Sequence, residues 1–138
     1  MKFFFNKKLF RTLFWIWLIV IVTVSSIPDI PTTEVTVDNT RWRLDYFFHF
    51  CEYGFLSLLL LLWRSNNEFR IPWAPFLWIM LTGVLFGIGD ELHQHFIPGR
   101  TVNLNDMLSN AAGWITGLLF TRFIIFPGLL IYTLRKNT

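Results

Sequence analysis

The chain has 138 residues, of which 54% are hydrophobic, 19% aromatic and only 15% charged. A soluble domain of this length keeps too much surface in water to hide so much apolar area, and 16 Phe with 7 Trp exceed what one compact core needs, so a lipid bilayer is the simpler sink. The formal net charge of +3 comes from scattered cations with no basic-aromatic stripe, which argues against a nucleic-acid partner, and the single Cys51 rules out an intrachain disulfide and an all-cysteine metal site.

Length implies one domain, 1–138. Four apolar stretches each approach the roughly 20 residues that a spanning helix needs. The first, residues 9–27, ends at Pro28. Lys7, Lys8 and Arg11 ahead of it and Ser25-Ser26 at its end also resemble a signal peptide, but the run is long for such a segment and is read as a span. The second stretch, 44–63, contains Cys51, expected to be a buried bystander and not a reactive thiol. The third is 73–96 and the fourth 104–126, joined through Ile97-Pro98-Gly99-Arg100, where Pro-Gly favours a tight turn. Arg122 lies inside the last stretch and Pro127-Gly128 follow it. Either Arg122 snorkels and the tail lies on the membrane surface, or the helix continues tilted and kinked through Pro127. The expected fold class is an all-α membrane protein, a bundle of four transmembrane helices.

Charge sets the expected orientation. Lys2, Lys7, Lys8, Arg11, Arg64, Arg70, Arg135 and Lys136 fall on one side of such a bundle, which the positive-inside rule makes cytoplasmic, together with both termini. Asp29, Glu34, Asp38, Asp45, Asp90, Glu91 and Asp106 fall on the other, with Arg41, Arg43 and Arg100.

Charged groups in a span cost about 2.5–3.5 kcal/mol at the bilayer centre, and such residues are functional candidates when they face protein or water. In the second span Asp45, His49 and Glu52 share a face at i, i+4 and i+7. In the third, Gly83, Gly87, Glu91 and Gln94 form a stripe with Asp90 beside it, and in the fourth Asp106, Asn110, Gly113 and Gly117 form another. The glycine pairs read best as close helix packing. Bland readings stand beside the others: Asp106 in the first turn of a helix capped by Asn103, Arg100 as an ion-pair partner of Glu91 or Asp90, His49 as a satisfied core histidine. They do not explain why Glu52, Glu91, Gln94, Arg100 and Asn110 fall at one level.

Asp90-Glu91-Leu92-His93-Gln94-His95-Phe96-Ile97-Pro98-Gly99-Arg100, followed by Asp106, Asn110 and Gly113, resembles the motif of the VanZ-like family of small bacterial membrane proteins. Asp45, His49, Tyr53 and Gly54 match that family's second-helix motif, and Ser25-Ser26 with Pro28 match the end of its first. The resemblance covers about residues 10–120; it departs at Tyr46, where the family often has Lys. It implies a multi-pass protein of the bacterial cytoplasmic membrane and, through the founding member, a link to resistance against the glycopeptide teicoplanin. It supplies no established reaction.

Several functions remain in competition. The first is an outer-face polar pocket that binds a lipid headgroup or a lipid-linked cell-wall intermediate, with Asp45, His49, Asp90, Glu91, Gln94, Arg100, Asp106 and Asn110 as its residues and Arg100 as the phosphate holder. The alternative is an intramembrane enzyme acting on a lipid phosphate or acyl group, with Glu91, His49 and Glu52 as catalytic candidates and Arg100 stabilising the anion; no established catalytic signature accompanies it. Transport finds no polar path to the opposite side, and interhelical polar contacts acting only as glue form a structural reading. No cofactor and no metal are expected. Glu52, His49, Glu91, His93 and His95 include suitable ligand types, but His93 and His95 at i and i+2 point to different faces. Expected partners are membrane lipids, a lipid-linked cell-wall precursor or a glycopeptide, with oligomerisation left open.

Overall fold

The computed structural model describes residues 6–29, 34–37, 40–65 and 69–136. Four of its helices are long and apolar enough to cross a membrane: Lys7–Ser25 (α1), Asp45–Arg64 (α2), Trp73–Gln94 (α3) and a last one over Leu104–Tyr132. The all-α bundle expected from the sequence is what the chain forms. Lys2 and Asp38, and the side chains of Glu34, Arg41 and Lys136, lie outside the described part.

Local chemistry sets the helix starts. The Asn6 side chain accepts from the backbone N–H groups of Lys8 (3.1 Å) and Leu9 (3.3 Å) and so caps α1. Asn103 does the same for the last helix, accepting from the Asn105 N–H at 2.9 Å, as its position ahead of Asp106 predicts. Not foreseen was a short antiparallel hairpin before α2, in which β1 (Glu34–Val37) pairs with β2 (Thr40–Arg43) in the register Glu34 to Arg43 and Val37 to Thr40.

The last helix resolves the two paths considered for the tail. It runs as α4 (Leu104–Phe120), one π-helical turn (Thr121–Ile125) and α5 (Phe126–Lys136), so it passes through Pro127. Proline lacks an N–H, and its ring would collide with the carbonyl four residues back in a regular α-helix. The turn before it is widened, and the Phe126 N–H donates to the Thr121 carbonyl, the i to i+5 spacing of a π-turn.

Phe14 and Ile21 of α1, Leu56, Leu59, Leu61 and Leu62 of α2, Phe76, Leu118 and Phe126 form the apolar core. Around it lies a belt of exposed apolar side chains, among them Trp15, Ile19, Phe55, Trp78, Leu85 and Phe120, an area only lipid would cover well. Cys51, expected to be buried, is exposed instead. It stands one turn from Phe47 and one turn from Phe55 on the outward face of α2, where periodicity places it away from the bundle axis.

The glycines act as close-packing positions. A Cβ on Gly113 would overlap the Phe50 carbonyl, one on Gly117 the Ser57 hydroxyl and the Gly54 carbonyl, and one on Gly83 the Trp114 ring. α2 and α4 therefore meet almost backbone to backbone. The bundle has two ends of different chemistry. The hairpin end comprises the C-terminus of α1, the β-hairpin, the start of α2 and the α3–α4 turn. The terminal end comprises the start of α1, the α2–α3 connection and the π-turn.

Candidate functional site

Toward the hairpin end, the core stops being apolar. From position 83 onward every buried residue of α3 is glycine or polar: Gly83, Gly87, Asp90, Glu91 and Gln94. α4 contributes Asp106, Asn110 and Gly113 to the same region. α2 begins with Asp45 and His49, both half-buried.

Two of these polar residues hold helices together. Asp90 Oδ2 accepts hydrogen bonds from the Ser25 hydroxyl (2.9 Å) and the Tyr53 hydroxyl (3.0 Å), joining α1 and α2 to α3. Asn110 donates through Nδ2 to the Gly87 carbonyl at 3.3 Å, where glycine lets α3 and α4 approach. Glu91 is fully buried, and its Oε1 accepts from the Asn103 backbone N–H at 2.8 Å.

The cation paired with carboxylates at this end is Arg43. Its Nε and Nη2 donate to Asp45 Oδ2 at 3.0 and 2.6 Å, and Nη2 lies 3.9 Å from Asp106 Oδ2. The hydrogen bonds it donates to Asp45 raise the Arg43 pKa above its ordinary value, so the group stays charged. The guanidinium also lies 4.9 Å from the centre of the Tyr46 ring.

Five buried polar atoms have no hydrogen-bond partner among the described residues: His49 Nδ1, Glu91 Oε2, Gln94 Nε2, Asp106 Oδ1 and Asn110 Oδ1. All belong to the hairpin end, and their residues were singled out by helical spacing. One donor atom each from His49, Glu91 and Asp106 lies within 4.8 Å of the other two. Leaving a buried polar group unpaired costs about 1–3 kcal/mol, more when it is charged, so five together call for an explanation.

Other residues are placed differently from the expectation. Arg100 is at this end, but among the described residues it forms no ion pair with Asp90 or Glu91. It donates through Nε to the Ile27 carbonyl (3.2 Å) and through Nη2 to the Val24 carbonyl (3.0 Å). The last carbonyls of a helix lack intrahelical donors and carry partial negative charge, which suits a cation. The turn that delivers Arg100 is tight: its N–H donates to the Ile97 carbonyl at 3.1 Å with Gly99 at φ 74°, a conformation glycine adopts without strain. The Asp29 N–H in turn donates to the Pro98 carbonyl at 3.3 Å, docking the α1 terminus on this turn. Glu52 is half-buried with His49, Asp90 and Arg100 as electrostatic neighbours, and its backbone carbonyl accepts from Trp17 Nε1 at 3.0 Å. His93 and His95 are exposed.

Sequence reasoning missed the roles of Arg43, Ser25 and Tyr53. Extending the Asp45–His49 stripe by one turn reaches Tyr53, so that signal was present; the Arg43 contact bridges a strand and a helix and leaves no periodic trace.

At the terminal end a pocket of about 620 Å³ is lined by Ile71, Trp73, Arg122, Phe126 and Leu130, among others. Arg122 is held there by a carbonyl and by aromatic rings. Its Nη1 donates to the Ile71 carbonyl at 2.7 Å, and its guanidinium lies 4.0 Å from the Trp73 ring centre and 4.5 Å from that of Phe76.

Four apolar helices around a buried polar end define a multi-pass helical membrane protein. The family model described as VanZ/LLP1 matches residues 9–126, and the chain belongs to that family. No curated protein and no solved structure gave a match.

Proposed function

We propose that the hairpin end binds the polar headgroup of a membrane lipid or a lipid-linked cell-wall intermediate. The observation that carries this reading is the set of unpartnered buried atoms on α2, α3 and α4. Their chemistry is lopsided: Glu91 Oε2, Asp106 Oδ1 and Asn110 Oδ1 accept hydrogen bonds, whereas Gln94 Nε2 donates. Such a set complements hydroxyl or ammonium groups, the donors of sugar and amino headgroups, better than a bare phosphate. The protein sits in the bacterial cytoplasmic membrane with this end outward. Lys7, Arg64 and Arg70 around a second, 330 Å³ pocket at the opposite end support that orientation through the positive-inside rule. The link to teicoplanin resistance rests on family membership alone.

Lipid retention by the purified protein tests the headgroup reading. Native mass spectrometry of protein offered phosphatidylglycerol, phosphatidylethanolamine and a polyprenyl-linked sugar should show selective retention of one class, weakened in Gln94→Leu and Asn110→Leu. Equal retention of all three by every variant overturns it. The enzymatic reading loses support at Arg100, whose guanidinium is committed to the Val24 and Ile27 carbonyls and not presented to an anion.

A further inference from the structure

We propose that His49, Glu91 and Asp106 form a site for one first-row divalent metal ion, held between α2, α3 and α4. The three residues each bring one donor atom to within 4.8 Å of the others. Zinc binds imidazole nitrogen and carboxylate oxygen at about 2.0–2.2 Å in a tetrahedral shell, so donors around one ion stand roughly 3.4 Å apart. Side-chain adjustments on the order of an ångström draw the three donors to that spacing.

Burial and pairing give the second line of argument. Glu91 is 0% and Asp106 6% exposed, and Glu91 Oε2, Asp106 Oδ1 and His49 Nδ1 have no partner among the described residues. Two neighbouring buried carboxylates repel one another, and the nearest cation, Arg43, makes its short contacts to Asp45 and reaches Asp106 Oδ2 only at 3.9 Å. A divalent ion satisfies both carboxylates and the imidazole at once. The surroundings also resemble an outer shell. The Asn103 N–H fixes Glu91 Oε1 at 2.8 Å and leaves Oε2 for the ion, and Arg43 flanks Asp106 on its Oδ2 side.

The mixed nitrogen and oxygen set favours zinc, manganese or ferrous iron over magnesium or calcium, which prefer oxygen alone. Three protein ligands leave a coordination position open. Gln94 and Asn110, one turn along from Glu91 and Asp106, are buried and carry unpartnered polar atoms of their own. A headgroup oxygen could fill the open position, a use that rests on the binding reading above; the ion site itself does not.

The test uses delipidated, chelator-treated protein in detergent, titrated with Zn²⁺ by calorimetry and with Co²⁺ by visible absorption. One zinc per chain is expected, with affinity in His49→Ala, Glu91→Gln and Asp106→Asn lowered by more than the roughly 10–100-fold that loss of an outer-shell partner causes. Glu52→Gln and His93→Ala should bind like wild type. Absence of stoichiometric binding by wild type, or loss of it in His93→Ala alone, overturns the proposal; so does equal binding by all the ligand variants. Should those variants misfold, X-ray absorption of zinc-loaded wild type decides, because a shell without an imidazole nitrogen excludes this site. Lipid is absent throughout, so failure here leaves the headgroup reading standing, and failed lipid retention leaves the metal site standing.

Discussion

The two ends of the bundle bury polar groups on opposite terms. At the terminal end Arg122 lies within the last span, yet its charge is met by the Ile71 carbonyl and the faces of Trp73 and Phe76. At the hairpin end five buried polar atoms on three helices have no such partner among the described residues. A buried polar group that is satisfied by the fold stabilises one structure. A cluster left unsatisfied is a cost that persists where something outside the chain repays it. Arg122 therefore reads as architecture, and the contrast supports the site proposed at the hairpin end.

Both ends depend on one spine, the close approach of α2 and α4. The largest effect should come from breaking it. Gly113→Leu forces a side chain into the Phe50 backbone, where nothing flexible can yield. Such overpacking should cost about 3 kcal/mol or more, read as loss of monodisperse protein in detergent and of the thermal transition. Survival of a stable Gly113→Leu bundle would show that the two ends are not built on this contact.

The contrast itself is sharpened by removing a satisfied group. Arg122→Ala deletes a charge-assisted hydrogen bond and the contacts with the Trp73, Phe76 and Phe123 rings, and should destabilise by about 2–4 kcal/mol. Lipid and metal retention should not change. A lowered affinity at the far end would mean that Arg122 belongs to the site after all. Within the hairpin end, the polar groups that are paired should behave like Arg122 on a smaller scale. Tyr53→Phe and Ser25→Ala each remove one hydrogen bond to Asp90 and should each lower stability by about 1 kcal/mol in thermal unfolding. Because both hydroxyls meet the same oxygen, the double variant should depart from additivity.

Much of this contrast is written in the sequence, and the reasons for the remainder are physical. Helical spacing places Glu91, Gln94, Asp106 and Asn110 on inward faces because burial follows period 3.6 within each helix. It does not give the rotation of one helix relative to the next, so nothing in the spacing joins His49 to Asp106 rather than to Glu52. Chain proximity puts Arg100 near the carboxylates, as their ion-pair partner or as a phosphate holder beside them. Its actual partners depend on where α1 ends relative to the 97–100 turn, a tertiary relation. Arg43 was hidden by a four-residue strand too short to announce itself. The path of the tail turned on Pro127, which was visible, and on a widened turn that accommodates it, which was not.

The smallest expected stability effect carries the most weight for the comparison. Gln94 is 3% exposed, and its Nε2 has no partner among the described residues. Methionine has nearly the same length and flexibility and no polar atom that demands pairing. Replacing an unsatisfied buried group by an apolar one of similar shape is near neutral or stabilising, whereas removing a group that had a partner costs stability. Gln94→Met should therefore melt at or slightly above the wild-type temperature while retaining less of the selected lipid. That opposition between stability and binding is the signature of a residue kept for a ligand. If Gln94→Met instead loses as much stability as Tyr53→Phe, then Nε2 has a structural partner, and the hairpin end is held together by the same kind of contact as the terminal end.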